Sequence, residues 1–272
     1  VEEKLRIGEI PYLNLLPIFH VLKKECDTGG YEFIEGVPSA VNRMLREGEV
    51  DISPSSSIEY LRDDYALFDG HSISSRGPIK SILLFSRVPI PSLDGREVAV
   101  TSQSETSTAL LEIVLKKFYG LRSSLRVTDA PLDKALETHP AYLSIGDEAL
   151  IEAQRKEGGN IKIYDLGELW FRQTGLPFVF ALWIAGRGLP ERKRELFDKF
   201  KRDLDYAKGR AMDMLPEIAE ASPLRTVIAP DRMVEYWRGI DYGLTEEHRK
   251  GLELFGDYLR ELGLLKSPQG MR

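Results

Sequence analysis

The sequence predicts a two-lobed α/β protein with a ligand cleft between its lobes. Three observations carry this expectation. Apolar runs of about four to eight residues alternate with helical-period segments through most of the chain, as in a mainly parallel sheet flanked by helices. Two stretches punctuated by Pro and Gly interrupt the alternation, as crossovers between lobes would. Small polar residues gather after the strand-like runs, where open α/β sheets take their ligands. A length of 272 residues suits one large domain or two ordinary ones.

Taken in order, the strand-like runs are Leu5–Ile10, Val50–Ser53, Ile79–Phe85, Glu97–Thr101, Leu125–Val127, Ala141–Ile145, Ile161–Tyr164 and Phe178–Ile184. Amphipathic helices lie between them. The clearest follows Thr101–Thr108, with Leu110, Leu111, Val114, Leu115 and Phe118 on one face and Gly120 as its stop. Near the C-terminus Leu252, Phe255, Leu259 and Leu262 recur at helical steps and mark a second. The first crossover is expected in Ser86–Gly95, which holds Pro89, Pro91 and the turn pair Asp94-Gly95, and the second at Gly175-Leu176-Pro177. On that division, 1–86 plus 181–272, with its C-terminal helices, form one lobe and 87–180 the other.

Composition narrows the function classes. Hydrophobic residues at 42% and charged residues at 29% are ordinary globular usage. Thirty-seven Lys and Arg against 43 Asp and Glu leave a net charge of −6, which argues against nucleic acid or an anionic membrane as partner. One cysteine, Cys26, cannot form an intramolecular disulfide, and no Cys/His zinc spacing occurs. The charged start Val1–Arg6 does not resemble the apolar stretch of a secretory signal, and no apolar run reaches the ~18 residues that cross a membrane. The chain is therefore expected to act in the cytoplasm.

Three strand-to-helix junctions are rich in hydrogen-bonding groups: Pro11–Asn14 before Pro17, Ser53–Ser57, and Thr101–Thr108 with six hydroxyl residues in eight. A helix N-terminus offers unpaired N–H groups and partial positive charge, and hydroxyls add donors, so a carboxylate can be held there without arginine. Plain capping explains any one such junction; three at one cleft favour a ligand. Each helix end contributes ~0.3–1 kcal/mol, whereas micromolar binding needs about 8 kcal/mol, so shape and direct hydrogen bonds must provide the rest. Asp147 and Glu148 form either an acid–base pair at a strand end or the acidic first turn of a helix. His20, His71, His139 and His248 lack metal or triad spacing, and His248, among Glu246, Glu247, Arg249 and Lys250, reads as part of a solvated face. Cys26 reads as an ordinary thiol. No G-x-G-x-x-G, Walker A or H-E-x-x-H pattern is present.

The serial motifs resemble the chorismate dehydratases of the futalosine route to menaquinone. The matching stretches are Arg6–Gly8 with Ile10–Asn14, Gly36–Ser39 with Asn42, Val50–Tyr60, Gly77–Ser86, Thr101–Thr108, Ile145–Leu150 and Tyr164–Trp183. They cover residues 5–185 densely and the helical tail loosely. The resemblance implies a type 2 periplasmic-binding-protein-like fold and a hydro-lyase that converts chorismate to 3-[(1-carboxyvinyl)oxy]benzoate and water. It implies no cofactor and no metal, a small-molecule substrate, and neither nucleic acid nor membrane; a homodimer is compatible with it. It places Asn14 and Ser81 as catalytic residues and Tyr12, Ser39, Ser55, Ser56, Thr106, Ser107 and Asp147 at the substrate, with Thr106 and Ser107 receiving a carboxylate. A sister family that forms dihydroxynaphthoate on the same fold relies on a cleft histidine. None of the four histidines lies in a matched motif, which favours the dehydratase. The remaining alternative is a non-catalytic binding protein for a small carboxylate. With no histidine in the matched motifs, the substrate's own enolpyruvyl carboxylate is the expected base.

Overall fold

A computed structural model describes residues 4–186 and 193–266. The chain runs β1 (Leu5–Glu9), α1 (Leu16–Glu25), β2 (Tyr31–Glu35), α2 (Pro38–Arg46), β3 (Ile52–Ser56), α3 (Ser57–Arg62) and β4 (Ala66–Ser75). It then passes through β5 (Ile82–Ser86), β6 (Glu97–Thr101), α4 (Glu105–Ile113), β7 (Ser124–Thr128), α5 (Leu132–Thr138), β8 (Ala141–Ile145), α6 (Gly146–Arg155), β9 (Lys162–Asp165) and α7 (Leu166–Thr174). It ends with β10 (Phe178–Ala185) and the helices α8 (Arg194–Asp213), α9 (Leu215–Ala221), α10 (Pro230–Arg238) and α11 (Glu246–Glu261).

Two five-stranded sheets form the two lobes, in the orders β2-β1-β3-β10-β4 and β7-β6-β8-β5-β9. In the first sheet β1 runs parallel to β2 and β3, whereas β10 is antiparallel to β3 and β4. In the second, β6 is parallel to β7 and β8, and β5 is antiparallel to β8 and β9. Helices cover both. The apolar face of α1 (Ile18, Phe19, Val21, Leu22) is buried, with Phe19 5.6 Å from Trp183 of β10. Helix α2 lies so close to β1 that a Cβ on Gly8 would meet Val41 at 2.7 Å, which only glycine avoids. On the expected face of α4, Leu110, Leu111, Val114 and Leu115 are buried and Phe118 half-buried; the helix continues through one π-helical turn over Val114–Phe118 and stops at Gly120 with φ +68°.

The first crossover differs from expectation. Strand β5 pairs with β8 and β9, so it belongs to the second sheet, and the chain crosses within residues 76–81 and not within Ser86–Gly95. The Pro-rich stretch instead buries Ile90 and Leu93 of a single 3-10 turn in the second lobe, where apolar side chains outweigh local punctuation. The return passes through Gly175–Pro177, with Gly175 left-handed at the end of α7, and residues 178–180 already belong to the first sheet through β10. The lobe boundaries at 86/87 and 180/181 therefore shift to the two connectors. Of the residues assigned to the first lobe, 1–3, 187–192 and 267–272 lie outside the described ones.

The tail does not serve the first lobe alone. Helix α8 packs on α1 and sets Phe200 against Trp183 of β10 at 5.7 Å, but α11 carries Phe255 into a cluster with Phe178 (4.9 Å) and Trp170 of α7 (6.3 Å). That cluster joins the lobes beside the return crossover, where a Cβ on Gly251 would approach the Pro177 carbonyl oxygen to 2.1 Å. His248 also departs from expectation. It is buried at the start of α11, where Nδ1 accepts from the Thr245 amide at 3.2 Å and Nε2 lies 3.1 Å from Asp241. The imidazole completes a capping box, so it faces inward despite its charged neighbours.

Candidate active site

The strap after β1 is held by side chains remote in sequence. The Leu13 amide donates to Asp147 Oδ1 of α6 at 2.9 Å, and the Leu13 carbonyl accepts from Trp237 Nε1 of α10 at 2.6 Å. The Asn14 carbonyl accepts from the Tyr242 hydroxyl at 2.7 Å. With the backbone fixed, Asn14 Oδ1 is buried and has no hydrogen-bond partner among the described residues. Such an orphan costs stability and is rare in a folded protein unless a ligand uses it.

Asn14 borders a narrow cavity between the lobes. Tyr12, Asn14, Ser56, Ser81, Ser104 and Ser107 supply its polar groups, and Ile10, Leu15, Ile73, Ile79, Ile82, Ile145 and Phe180 its apolar wall. Three of its hydroxyls share one arrangement. Ser56 Oγ accepts from Asn42 Nδ2 at 2.8 Å, Ser81 Oγ from the Tyr236 hydroxyl at 2.9 Å, and Ser107 Oγ from Ser104 Oγ at 2.9 Å. A hydroxyl that already accepts from the protein has its own hydrogen left to donate, so all three are set up as donors to an oxygen-rich ligand. Ser104 is also the N-cap of α4, accepting from the Ser107 amide at 3.2 Å, so capping and ligand binding coexist there.

Tyr12 is the one titratable side chain lining this cavity among the described residues. Burial, aided by Asp147 and Glu148, pushes its phenol up to about 12, so at neutral pH it is a hydrogen-bond donor, spent on Gln103 Oε1. Its ring lies against Gly146, where φ is +65° and a Cβ would stand 3.0 Å from the ring. The Gly146 amide donates to the Ser81 carbonyl at 2.8 Å, and Asp165 accepts from the amides of Ile79 (3.1 Å) and Lys80 (2.6 Å), fixing the crossover that carries Ser81.

The structure thus brings Tyr12, Asn14, Ser56, Ser81 and Ser107 together, and the other expected residues stand elsewhere. Ser39 lies in the first turn of α2 beside Pro38, which lines the cavity where Ser39 does not. Ser55 points to the opposite face of β3, its Oγ 2.5 Å from Ser53 Oγ, because side chains alternate along a strand that runs straight into α3 without a loop. Thr106 Oγ1 accepts from the Ile58 amide at 3.1 Å, so it caps α3 across the lobes and does not face the cavity. Asp147 borders a neighbouring cavity of about 250 Å³ with Glu9 and Phe19, on the far side of the strap. Burial raises its carboxyl above the ordinary value. Sequence reasoning missed Tyr236, Trp237 and Tyr242, which look like core aromatics of the tail until their polar tips are located, and Gln103.

The family described as "Menaquinone biosynthesis" (VitK2_biosynth) matches residues 5–261. A chorismate dehydratase of Thermus thermophilus is 33% identical over 269 residues, covering 93% of this chain and 94% of the relative. A 1,4-dihydroxy-6-naphtoate synthase of Streptomyces coelicolor is 32% identical over 208 residues, covering 66% of this chain and 68% of that protein. Among solved structures, a protein of Archaeoglobus fulgidus superposes with a TM-score of 0.76 at 19% identity, covering 96% of this chain and 98% of that one. The alkanesulfonate-binding protein of Xanthomonas axonopodis pv. citri, bound to MOPS, gives 0.70 at 16% identity, covering 97% and 94%. The fold is accordingly a two-lobed, type 2 periplasmic-binding-protein-like one.

Proposed function

The chain belongs to the menaquinone biosynthesis family, and from that premise we propose that its cavity removes water from chorismate to give 3-[(1-carboxyvinyl)oxy]benzoate. The observation that carries the proposal is the lining itself: one unpartnered buried amide oxygen, three hydroxyls set to donate, an apolar wall, and no acid, histidine or lysine among the described lining residues. Chorismate brings a ring carboxylate, an enolpyruvyl carboxylate and a ring hydroxyl, which suit these donors. Its cyclohexadiene ring suits the isoleucines and Phe180.

Elimination breaks the C–H bond at the ether-bearing ring carbon and the C–O bond to the ring hydroxyl, and the ring becomes aromatic. The enolpyruvyl carboxylate of the bound substrate accepts the proton, since no lining side chain is a competent base at neutral pH. The departing oxygen accepts the Ser81 hydrogen bond, takes up the proton that the substrate carboxylate has removed, and leaves as water, which restores the carboxylate. Asn14 fixes the pose, and Ser107 at the start of α4 holds a carboxylate with the help of the helix N-terminus. A dihydroxynaphthoate-forming reaction is the weaker reading, because His20, His71, His139 and His248 all lie away from the lining.

Incubation with chorismate, followed by aromatic absorbance and mass spectrometry, tests the proposal. The expected product has lost one water. Saturable binding of chorismate without any product would reduce the protein to a binding module, and conversion of a cyclic precursor to dihydroxynaphthoate would transfer it to the sister reaction.

A further inference from the structure

Ser81 sits on the crossover between the lobes, outside any helix or strand, so its direction must be imposed from outside. Its backbone is fixed by Gly146 and, through Ile79 and Lys80, by Asp165. Among the described residues its side chain has one hydrogen-bond partner, the phenol of Tyr236, which lies on α10 and is 4% exposed. We infer that Tyr236 is a positioning residue that orients the Ser81 hydroxyl toward the leaving oxygen, an assignment that rests on the function proposed above and deepens it.

The geometry gives Tyr236 this role and little else. Its hydroxyl donates to Ser81 Oγ at 2.9 Å, which occupies a lone pair of the serine and leaves the serine hydrogen for an acceptor in the cavity. Burial drives the phenol well above its ordinary value, with Asp147 and Asp165 adding to the effect, so Tyr236 stays a protonated donor across the working pH range. The adjacent residue of α10, Trp237, holds the Leu13 carbonyl of the strap at 2.6 Å. One helical turn therefore fixes both Ser81 and the segment that carries Asn14. Because α10 comes from the tail and the cavity from the two sheets, the tail acts as the template on which the site is aligned.

The test is a cycle of wild type, Ser81→Ala, Tyr236→Phe and the double variant, with kcat and KM for chorismate and a thermal melt of each. Tyr236→Phe keeps the ring and loses only the hydroxyl. We expect kcat to fall about tenfold with KM changed less than about threefold, as for an interaction that matters in the transition state. We also expect the double variant to be no slower than Ser81→Ala, since Tyr236 acts through Ser81. An unchanged kcat in Tyr236→Phe, or a double variant slowed by the product of the two single effects, would overturn the assignment. Should the wild type not convert chorismate, the proposed reaction falls, and the positioning role is decided without substrate by a crystal structure of Tyr236→Phe. Ser81 spread over several χ1 rotamers sustains the role, and a single unaltered rotamer refutes it.

Discussion

Asp147 offers the sharpest separation between a chemical and an architectural role. Its carboxylate accepts from the Leu13 amide at 2.9 Å, and it lines a different cavity from the one that Asn14 borders. Asp147→Ala leaves that amide without a partner in a buried position, which costs about 1–3 kcal/mol. For a protein of this size each kcal/mol is worth roughly 2 °C, so the melting temperature should fall by ~2–6 °C. Turnover should fall with it, because the loosened strap carries Asn14. Asp147→Asn retains an acceptor oxygen and should keep most of the activity. The pH dependence adds a second readout. Burial raises the folded-state pKa of Asp147, and the Leu13 amide opposes this only in part. The folded protein then holds the proton more tightly than the unfolded chain, whose carboxyl titrates at about 3.9. The stability this group contributes is full below that value and is lost as pH rises through the raised one. Asparagine has no such titration, so the melting temperature of Asp147→Asn should gain on the wild type as pH rises above ~4. The assay is a set of melts across that range with chorismate turnover at each point. A folded Asp147→Asn that binds chorismate yet has no turnover would make Asp147 the base and refute both the architectural role and the substrate-assisted elimination.

Asn14→Ala should lose most of its turnover while melting no lower than the wild type, because it deletes a buried oxygen that lacks a partner among the described residues; a clear loss of stability would show that the amide serves the fold. Ser107→Ala should weaken chorismate affinity by roughly five- to a hundredfold, the equivalent of ~1–3 kcal/mol, whereas Thr106→Ala, bonded to Ile58, should alter stability more than affinity; calorimetry that finds the reverse order would exchange their roles. Gly146→Ala places a side chain at φ +65° against the Tyr12 ring and should cost about 1–2 kcal/mol along with activity, read by melt and turnover together.

What could be read from the chain alone follows a physical boundary. Glu97–Thr101 and Ala141–Ile145 coincide with β6 and β8 because central strands buried on both faces are continuous apolar runs. Strand β4 escaped notice because Asp69, Gly70, Ser72, Ser74 and Ser75 read as a loop; its buried hydroxyls are satisfied by remote partners such as the Gly243 carbonyl and by Ser72 to Ser74 at 2.6 Å. Gly77 at φ +103° and Lys80 at φ +64° mark the true first crossover, and in sequence Gly77-Pro78 is no stronger a breaker than Pro89-Ile90-Pro91. In the site, the polar segments were legible and the individual side chains only partly so. Strand alternation could have separated Ser56 from Ser55. Thr106, Ser107 and Asp147 sort by how one lobe docks on the other, which no local pattern encodes.

The placement of β10 has a consequence for how the chain assembles. This strand lies between β3 and β4 and is bonded to both, although it is synthesised more than a hundred residues after β4 ends. During synthesis β3 and β4 therefore wait as unpaired edges around a gap, a state prone to sticking to other chains, while β5 through α7 form a contiguous unit whose strand pairings are all internal to it and nearer in sequence. The inserted lobe is expected to fold first, and the cavity comes into existence only when the late strand fills the gap. A nascent chain stopped at Pro177 should then be protease-resistant over residues 82–174 and labile before them, and resistance should spread to the N-terminal region only once Ala185 has been added.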